Sequence, residues 1–159
     1  MKLYFLRHGA AVDPETWQGD DASRPLTADG RKSMEREAKA MDDLDLGLTL
    51  IVTSPLKRAR ETAEIVACRL KLEDRLIQDG RLAQNVDGNV VAEILRDHGA
   101  AETVMFVGHE PDFSRTIGEL SGGANIVLKK GGLARIDLAD STSTSGEMVW
   151  LIPPKLLVR

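Results

Sequence analysis

Short apolar runs alternate with longer amphipathic stretches along most of the chain. The runs at residues 2–6, 48–52 and 103–107 are typical of buried strands, and a weaker one predicts a short strand at 75–78. Four stretches with apolar residues at helical spacing predict helices that begin at Thr27, Ser54-Pro55, Val86 and Pro111. Strands that alternate with helices form a mostly parallel sheet covered on both faces. The pattern therefore predicts an α/β fold with three α/β/α layers.

Turn formers and caps give the predicted elements their boundaries. Thr27 is the expected N-cap of the first helix, which runs to about Leu44, and Pro55 occupies the first position of the second. The third helix spans residues 86–98 and ends at Gly99, and the fourth ends at Leu120. Residues 13–25 are expected to form a loop. Residues 131–138 and 147–152 predict an antiparallel hairpin at the C-terminal end of the sheet.

Composition narrows the class of protein without naming its chemistry. A length of 159 residues suits a single domain spanning residues 1–159. The net charge of −4 argues against nucleic-acid binding. No apolar run approaches the ~20 residues of a membrane span, and Arg7 and His8 interrupt the N-terminal run too early for a signal peptide. Cys68 is the only cysteine, so we expect a cytoplasmic protein without disulfides, in which Cys68 is a small buried hydrophobe.

Candidate chemistry lies where the predicted strands end, because open α/β sheets bind ligands outside the carboxyl ends of their strands. His8 follows the first strand directly, between Arg7 and Gly9. A neutral imidazole can attack phosphorus, a guanidinium offers a planar fork of donors to phosphate oxygens, and glycine lets a ligand approach the backbone. A satisfied histidine in a tight turn, beside an exposed arginine, explains this tripeptide equally well.

The strands predicted at residues 48–52 and 103–107 supply two further candidates. Arg58 falls in the first turn of the helix after Ser54-Pro55, where helix N–H groups favour anions. Taken alone, Arg58 is more simply part of a solvated basic face with Lys57 and Arg60. His109 ends the most apolar strand and can donate to phosphate or carry a proton, although a lone histidine is more often structural. His98 sits at a helix C-terminus and receives no functional role.

These segments together resemble the histidine phosphatase superfamily in residue type, order and spacing. The resemblance rests on Arg7-His8-Gly9, on Ser54-Pro55-Leu56-x-Arg58-Ala59 followed by Thr62-Ala63, and on Gly108-His109. The short chain, without a cap insertion, is most similar to the SixA-type phosphohistidine phosphatases. Two more segments add to that similarity, namely Arg24-Pro25-Leu26-Thr27 with Gly30 and the ending Trp150-x-x-x-Pro154-Lys155-Leu156-Leu157. The resemblance covers about residues 1–157.

The resemblance implies a catalytic domain in which His8 is the nucleophile. Arg7, Arg58 and His109 would complete a phosphate pocket, and Gly9 would let phosphate approach closely. Arg24 would also reach the substrate, although its segment is equally explained as the lead-in to a capped helix. No metal or other cofactor is implied. The charges of Arg7 and Arg58 would themselves repel a cation.

One departure from the wider superfamily bears on the substrate. Many members that cleave phosphate esters are expected to carry a carboxylic acid after the third strand. Here residues 81–87 contain only Asp87, at an expected helix cap, and the SixA-type proteins are similar in lacking the acid. An imidazole leaves more easily than an alkoxide, so a general acid is less necessary for phosphohistidine. The prediction is a phosphatase acting on phosphohistidine in a partner protein, such as a phosphorelay domain.

Other functions stay open or fit worse. A phosphomonoesterase for small metabolites would use the same pocket, with Glu110 or Asp112 as the acid. A non-catalytic phosphate-binding module would use the pocket without turnover. A cysteine phosphatase fits poorly, because the arginine required six residues after Cys68 is Asp74.

Overall fold

A six-stranded mixed sheet forms the centre of the molecule. The computed structural model describes residues 1–158. The strands are β1 (Lys2–Arg7), β2 (Leu50–Thr53), β3 (Leu76–Gln78), β4 (Thr103–Gly108), β5 (Leu133–Leu138) and β6 (Gly146–Ile152). Their order is β3-β2-β4-β1-β5-β6. The pairs β3–β2, β2–β4 and β4–β1 are parallel, whereas β1–β5 and β5–β6 are antiparallel. The predicted α/β class and the antiparallel C-terminal hairpin are confirmed.

Helices cover both faces of this sheet, which confirms the three-layer arrangement. They are α1 (Ala28–Asp43), α2 (Lys57–Leu70), α3 (Gly88–Asp97), α4 (Asp112–Leu120) and the short α5 (Pro154–Leu157). Apolar residues of α1, α2 and α5 share one buried cluster with one face of the sheet. Those of α3 and α4 share the second cluster with the other face. Among residues 1–158, no helix is long and apolar enough to cross a membrane.

The central strands β1 and β4 are buried on both sides, as parallel strands between two helical layers should be. Successive side chains of β1 point to opposite faces, so Leu3 and Phe5 enter one cluster and Tyr4 and Leu6 the other. Phe5 also stacks on Phe106 at a centroid distance of 5.6 Å. The interior residues of these strands are thus taken up by packing, and only residues at or beyond the strand ends can face a ligand.

Two local predictions are confirmed and two are wrong. Thr27 caps α1 by accepting from the Gly30 N–H, and Asp87 caps α3 by accepting from that of Val90. The second helix does not begin at Ser54-Pro55 but at Lys57. The reason is that the Ser54 N–H donates to Val107 and so continues the β2–β4 pairing. Cys68 is exposed rather than buried, because it lies on the solvent side of α2.

Candidate active site

Strand register brings the predicted site residues to one edge of the sheet. Arg7, the last residue of β1, pairs with Gly108, the last residue of β4. His8 and His109 therefore leave neighbouring strands at the same level, and their ring centroids lie 5.2 Å apart. Ser54 leaves β2 one residue past the Thr53–Val107 pair and arrives beside His109. The carboxyl ends of three parallel strands thus converge, as expected for an α/β sheet.

The His8 ring is held in one tautomer by its own backbone. Its Nδ1 lies 2.7 Å from the carbonyl oxygen of Gly9. Because a carbonyl only accepts hydrogen bonds, Nδ1 carries the proton and Nε2 keeps its lone pair. His8 as a whole residue is 6% exposed. This is the orientation that a nucleophilic imidazole requires.

The environment also keeps the His8 imidazole neutral. Burial lowers the pKa of His8 to about 3, opposed by the bond to Gly9 and assisted by the charges of His109, Arg58 and Arg7. At neutral pH the free nitrogen is therefore unprotonated.

Gly9 contributes through close packing rather than through a free amide. Its N–H donates to Thr62 Oγ1 at 3.1 Å, and that hydroxyl donates to the Arg58 carbonyl at 2.7 Å. A Cβ at position 9 would lie 2.6 Å from Cγ of Met34. The geometry leaves Gly9 no unpaired N–H for phosphate, and the tight fit against α1 instead holds the carbonyl that orients His8.

His109 is oriented by Ser54, a fully buried serine. Ser54 Oγ accepts from the Leu56 N–H at 3.3 Å and lies 2.7 Å from Nε2 of His109. Among residues 1–158 the Ser54 hydroxyl has no other acceptor, so its proton is paired only when it donates to Nε2, which puts the ring proton on Nδ1. Burial, followed by the charge of Arg58, lowers the pKa of His109 to about 4. His109 is thus a neutral donor through Nδ1.

Ser54→Ala is expected to release the tautomer of His109 and to lower kcat/KM about tenfold, because Nδ1 would no longer be the sole protonated nitrogen. Ring ¹⁵N chemical shifts, which distinguish the tautomers, would report the change alongside kinetics. Ser121→Ala removes a serine that bonds only within α4 and serves as the matched control. Unchanged His109 shifts in Ser54→Ala would contradict this role.

Three buried donors at this edge have no partner within residues 1–158. They are Arg7 Nε, Arg58 Nε and His109 Nδ1. In each group a different nitrogen is already bonded: Arg7 Nη1 donates to the Leu128 carbonyl at 3.0 Å, and Arg58 Nη1 donates to that of Asp21 at 2.9 Å. A buried donor without an acceptor costs about 1–3 kcal/mol. Unpaired donors gathered around a neutral imidazole form a site for an oxyanion.

Arg24 lies close to this cluster but is bonded within its own loop. Its Nη1 donates to the Val12 carbonyl at 2.7 Å, and its Nε donates to Asp21 Oδ1 at 3.0 Å. The same Asp21 carboxylate pairs with Arg58. Arg24 is therefore joined to the cluster through Asp21, and its direct contact with a substrate stays a prediction.

The two candidate proton donors differ in how much of each carboxylate is engaged. Asp112 uses both oxygens, accepting from the Val86 N–H at 3.0 Å and pairing with Arg115. Glu110 uses Oε1 to accept from the Ser114 N–H at 3.1 Å, and its charge acts on Arg7. Of these two carboxylates, only that of Glu110 retains an oxygen without a hydrogen bond to residues 1–158.

Two residues that orient groups of the site, Ser54 and Asp21, were not identified in that role from the sequence. Ser54 was noticed, but as a helix cap, and Asp21 carries no signal because it sits among other charged residues of a loop. Its partner Arg58 is 37 residues away. No group of three or more metal-ligating side chains occurs within residues 1–158. Metal independence stays a prediction.

Comparison with known proteins agrees with the arrangement. The model of the histidine phosphatase superfamily (branch 1) matches residues 3–119. An uncharacterized protein of Picosynechococcus sp. is 33% identical over 169 residues, which cover 99% of each chain. The structure of the protein histidine phosphatase SixA complexed with tungstate superposes with a TM-score of 0.86 at 24% identity, covering 98% of both chains. The alpha-ribazole phosphatase from Shigella flexneri superposes at 0.74 with 18% identity and 97% coverage of both.

Proposed function

Because this chain belongs to the histidine phosphatase superfamily, we propose that it is a phosphatase whose nucleophile is His8 and whose substrate is phosphohistidine on a partner protein. One observation carries the proposal. A neutral histidine, with Nε2 free, lies among three buried donors that have no partner within residues 1–158. The donors belong to Arg7, Arg58 and His109, which are the groups that the family resemblance implied for a phosphate pocket.

The reaction consists of two displacements at phosphorus. His8 Nε2 attacks and forms a P–N bond while the P–N bond to the substrate imidazole breaks, and the departing imidazole takes a proton from solvent. Water then attacks the phospho-His8, which releases phosphate and restores the neutral ring. The free Nε of Arg7 and of Arg58 and Nδ1 of His109 donate to the non-bridging oxygens. Such donors stabilise the charge on the transferring group.

The shortage of free carboxylates at the site supports phosphohistidine as the substrate class. Asp87 is used as the cap of α3, and both oxygens of Asp112 are bonded. An ester would need a proton for its alkoxide, whereas an imidazole leaves readily without a dedicated acid. The expected lack of a cap insertion would leave the site open, and a histidine on a protein surface could then enter it. A phosphorelay domain in the cytoplasm is the kind of partner that fits.

A phosphomonoesterase for small metabolites is the second candidate, and the free oxygen of Glu110 favours it. That carboxylate is held at the start of α4, beside Arg7. A protonated Glu110 would supply the leaving alkoxide with the proton that Asp87 and Asp112 cannot. The similar fold of the Shigella flexneri alpha-ribazole phosphatase is compatible with this use of the scaffold.

Turnover of two substrate types, measured with chelator present, tests the choice. We expect kcat/KM for a histidine-phosphorylated relay domain to exceed that for a panel of phosphate esters by at least about 100-fold. Glu110→Gln should leave relay-domain turnover within about twofold, as should the control Glu102→Gln at an exposed position. Fast ester turnover that Glu110→Gln abolishes would establish the esterase instead. Phosphate binding without turnover of any substrate would establish the non-catalytic module.

A further inference from the structure

The carboxylate of Asp21 bonds to Arg24 and Arg58 at the edge of the proposed phosphate pocket. A negative charge is unexpected there, because the pocket should attract anions. It stands in a short 3-10 helix, Asp21–Ser23, within the loop that precedes α1. Arg58 Nη2 donates to Asp21 Oδ2 at 3.0 Å, and Arg58 Nη1 donates to the Asp21 carbonyl at 2.9 Å. The Arg58 side chain is 8% exposed and that of Asp21 is 60% exposed. Asp21, an exposed residue, thus holds the buried side chain of Arg58.

The hydrogen bonds that Arg58 donates to Asp21 occupy the end of its guanidinium and leave one side of the group free. A guanidinium offers an end formed by its two terminal nitrogens and a side formed by Nε and Nη2. Asp21 takes one hydrogen from each terminal nitrogen. Three N–H groups of Arg58 remain, namely Nε–H, which has no partner among residues 1–158, and the second hydrogen of each terminal nitrogen. Only Nε–H and the second hydrogen of Nη2 point to the same side, so the planar group can offer an oxyanion a paired contact through that side alone.

The same carboxylate draws Arg24 into the assembly through Oδ1, at 3.0 Å from Arg24 Nε. The loop that carries Asp21 is itself braced. Asp20 Oδ1 accepts from the Ser23 N–H at 3.2 Å, and the Asp20 carbonyl accepts from the Trp17 indole at 2.9 Å. These bonds hold the backbone of the short helix in place, and Asp21 on that helix sets the orientation of Arg58.

We propose that Asp21 is a positioning residue, which holds Arg58 with its Nε edge toward the transferring phosphoryl group. The inference rests on the proposed function, because it assigns Arg58 to that group. Asp21 acts through Arg58 and does not itself contact substrate.

Two effects of removing the Asp21 charge oppose each other. The loss of a negative charge near the pocket favours anion binding, but Asp21 is largely exposed and water screens that effect to about twofold. The loss of charge-assisted bonds lets Arg58 leave its orientation, which weakens oxyanion binding about tenfold. Positioning therefore outweighs repulsion.

Tungstate titration by calorimetry, combined with steady-state kinetics on a phosphorylated relay domain, tests the proposal. Asp21→Asn should raise the tungstate Kd and KM each about tenfold while kcat changes less than about threefold. Asp21→Ala should do at least as much. Asp20→Asn is the matched control, since it removes the same charge one residue away and asparagine still caps the short helix. It should leave Kd and KM within about twofold.

A titration of His109 by NMR supplies a readout that loop damage alone would not move. The charge of Asp21 raises the pKa of His109. Asp21→Asn should therefore lower that pKa further, whereas Asp20→Asn should not. Tighter tungstate binding in Asp21→Asn, or equal weakening in Asp20→Asn, would overturn the inference. Tungstate binding that depends on Asp21 without any turnover would uphold it and overturn the phosphatase, and a wild-type protein that binds no tungstate would overturn both.

Discussion

His8→Ala is expected to turn over a phosphorylated relay domain at least about 10⁴-fold more slowly than the wild type, because no other nitrogen with a free lone pair occupies its place. The acid-labile phosphoenzyme should disappear with it, as measured by rapid quench with ³²P-labelled substrate. His98→Ala changes the histidine at the end of α3, outside the site, and should retain turnover within about twofold.

Anion binding separates the loss of a nucleophile from the loss of a pocket. His8 is neutral, since burial lowers its pKa to about 3. Its removal therefore leaves the charge of the pocket unchanged, and the free donors of Arg7, Arg58 and His109 remain. Tungstate should bind His8→Ala within about threefold of the wild type. A phosphoenzyme that persists in His8→Ala would contradict the assignment and direct attention to His109.

The second large effect concerns Glu37, a buried carboxyl of α1 that has no part in the proposed reaction. It is 4% exposed, and its Oε2 has no partner within residues 1–158. Its carboxyl group packs against Gly131, where an added Cβ would overlap it. Burial raises the pKa of Glu37 to about 8, and the charge of Arg36 only moderates this. At neutral pH the group is mostly protonated.

The sign of the resulting pH dependence follows from proton linkage. The folded state holds the Glu37 proton up to pH 8, whereas the unfolded chain releases it near pH 4.5. Between these values the folded state binds more protons, so the contribution of Glu37 to stability falls as pH rises. Burial of His8 and His109 acts in the opposite direction, because their folded pKa values are lowered and stability is lost as pH falls below about 6.5.

A difference measurement isolates Glu37 from the histidines, which contribute equally to both proteins. Glu37→Gln should gain about 1.5 kcal/mol of unfolding free energy relative to the wild type between pH 6.5 and pH 8. Urea unfolding at a series of pH values measures it. Glu35→Gln, at an exposed position of the same helix, should show no such gain. A constant difference across this range would mean that Glu37 is ionised in the folded protein.

Glu37 also illustrates a signal that was present in the sequence. Met34, Ala38 and Met41 mark the apolar stripe of α1, and position 37 falls on the same face. A charged residue inside such a stripe predicts a buried titratable group, so this feature was accessible from periodicity. Asp21 has no equivalent signal, because nothing in its loop distinguishes it from its acidic neighbours.

The sequence alone determined the α/β class and the succession of strands and helices along the chain. It also determined which residues gather at the strand ends. Apolar periodicity and caps act over a few residues, and parallel strands bring their carboxyl ends to one edge whatever the details. Only the tertiary structure decided which nitrogen of His8 is free. It alone also showed that Ser54 orients His109 instead of starting a helix, and that Asp21 holds Arg58. These depend on atoms within about 3 Å that belong to separate segments, and such contacts follow from strand register and packing rather than from local pattern.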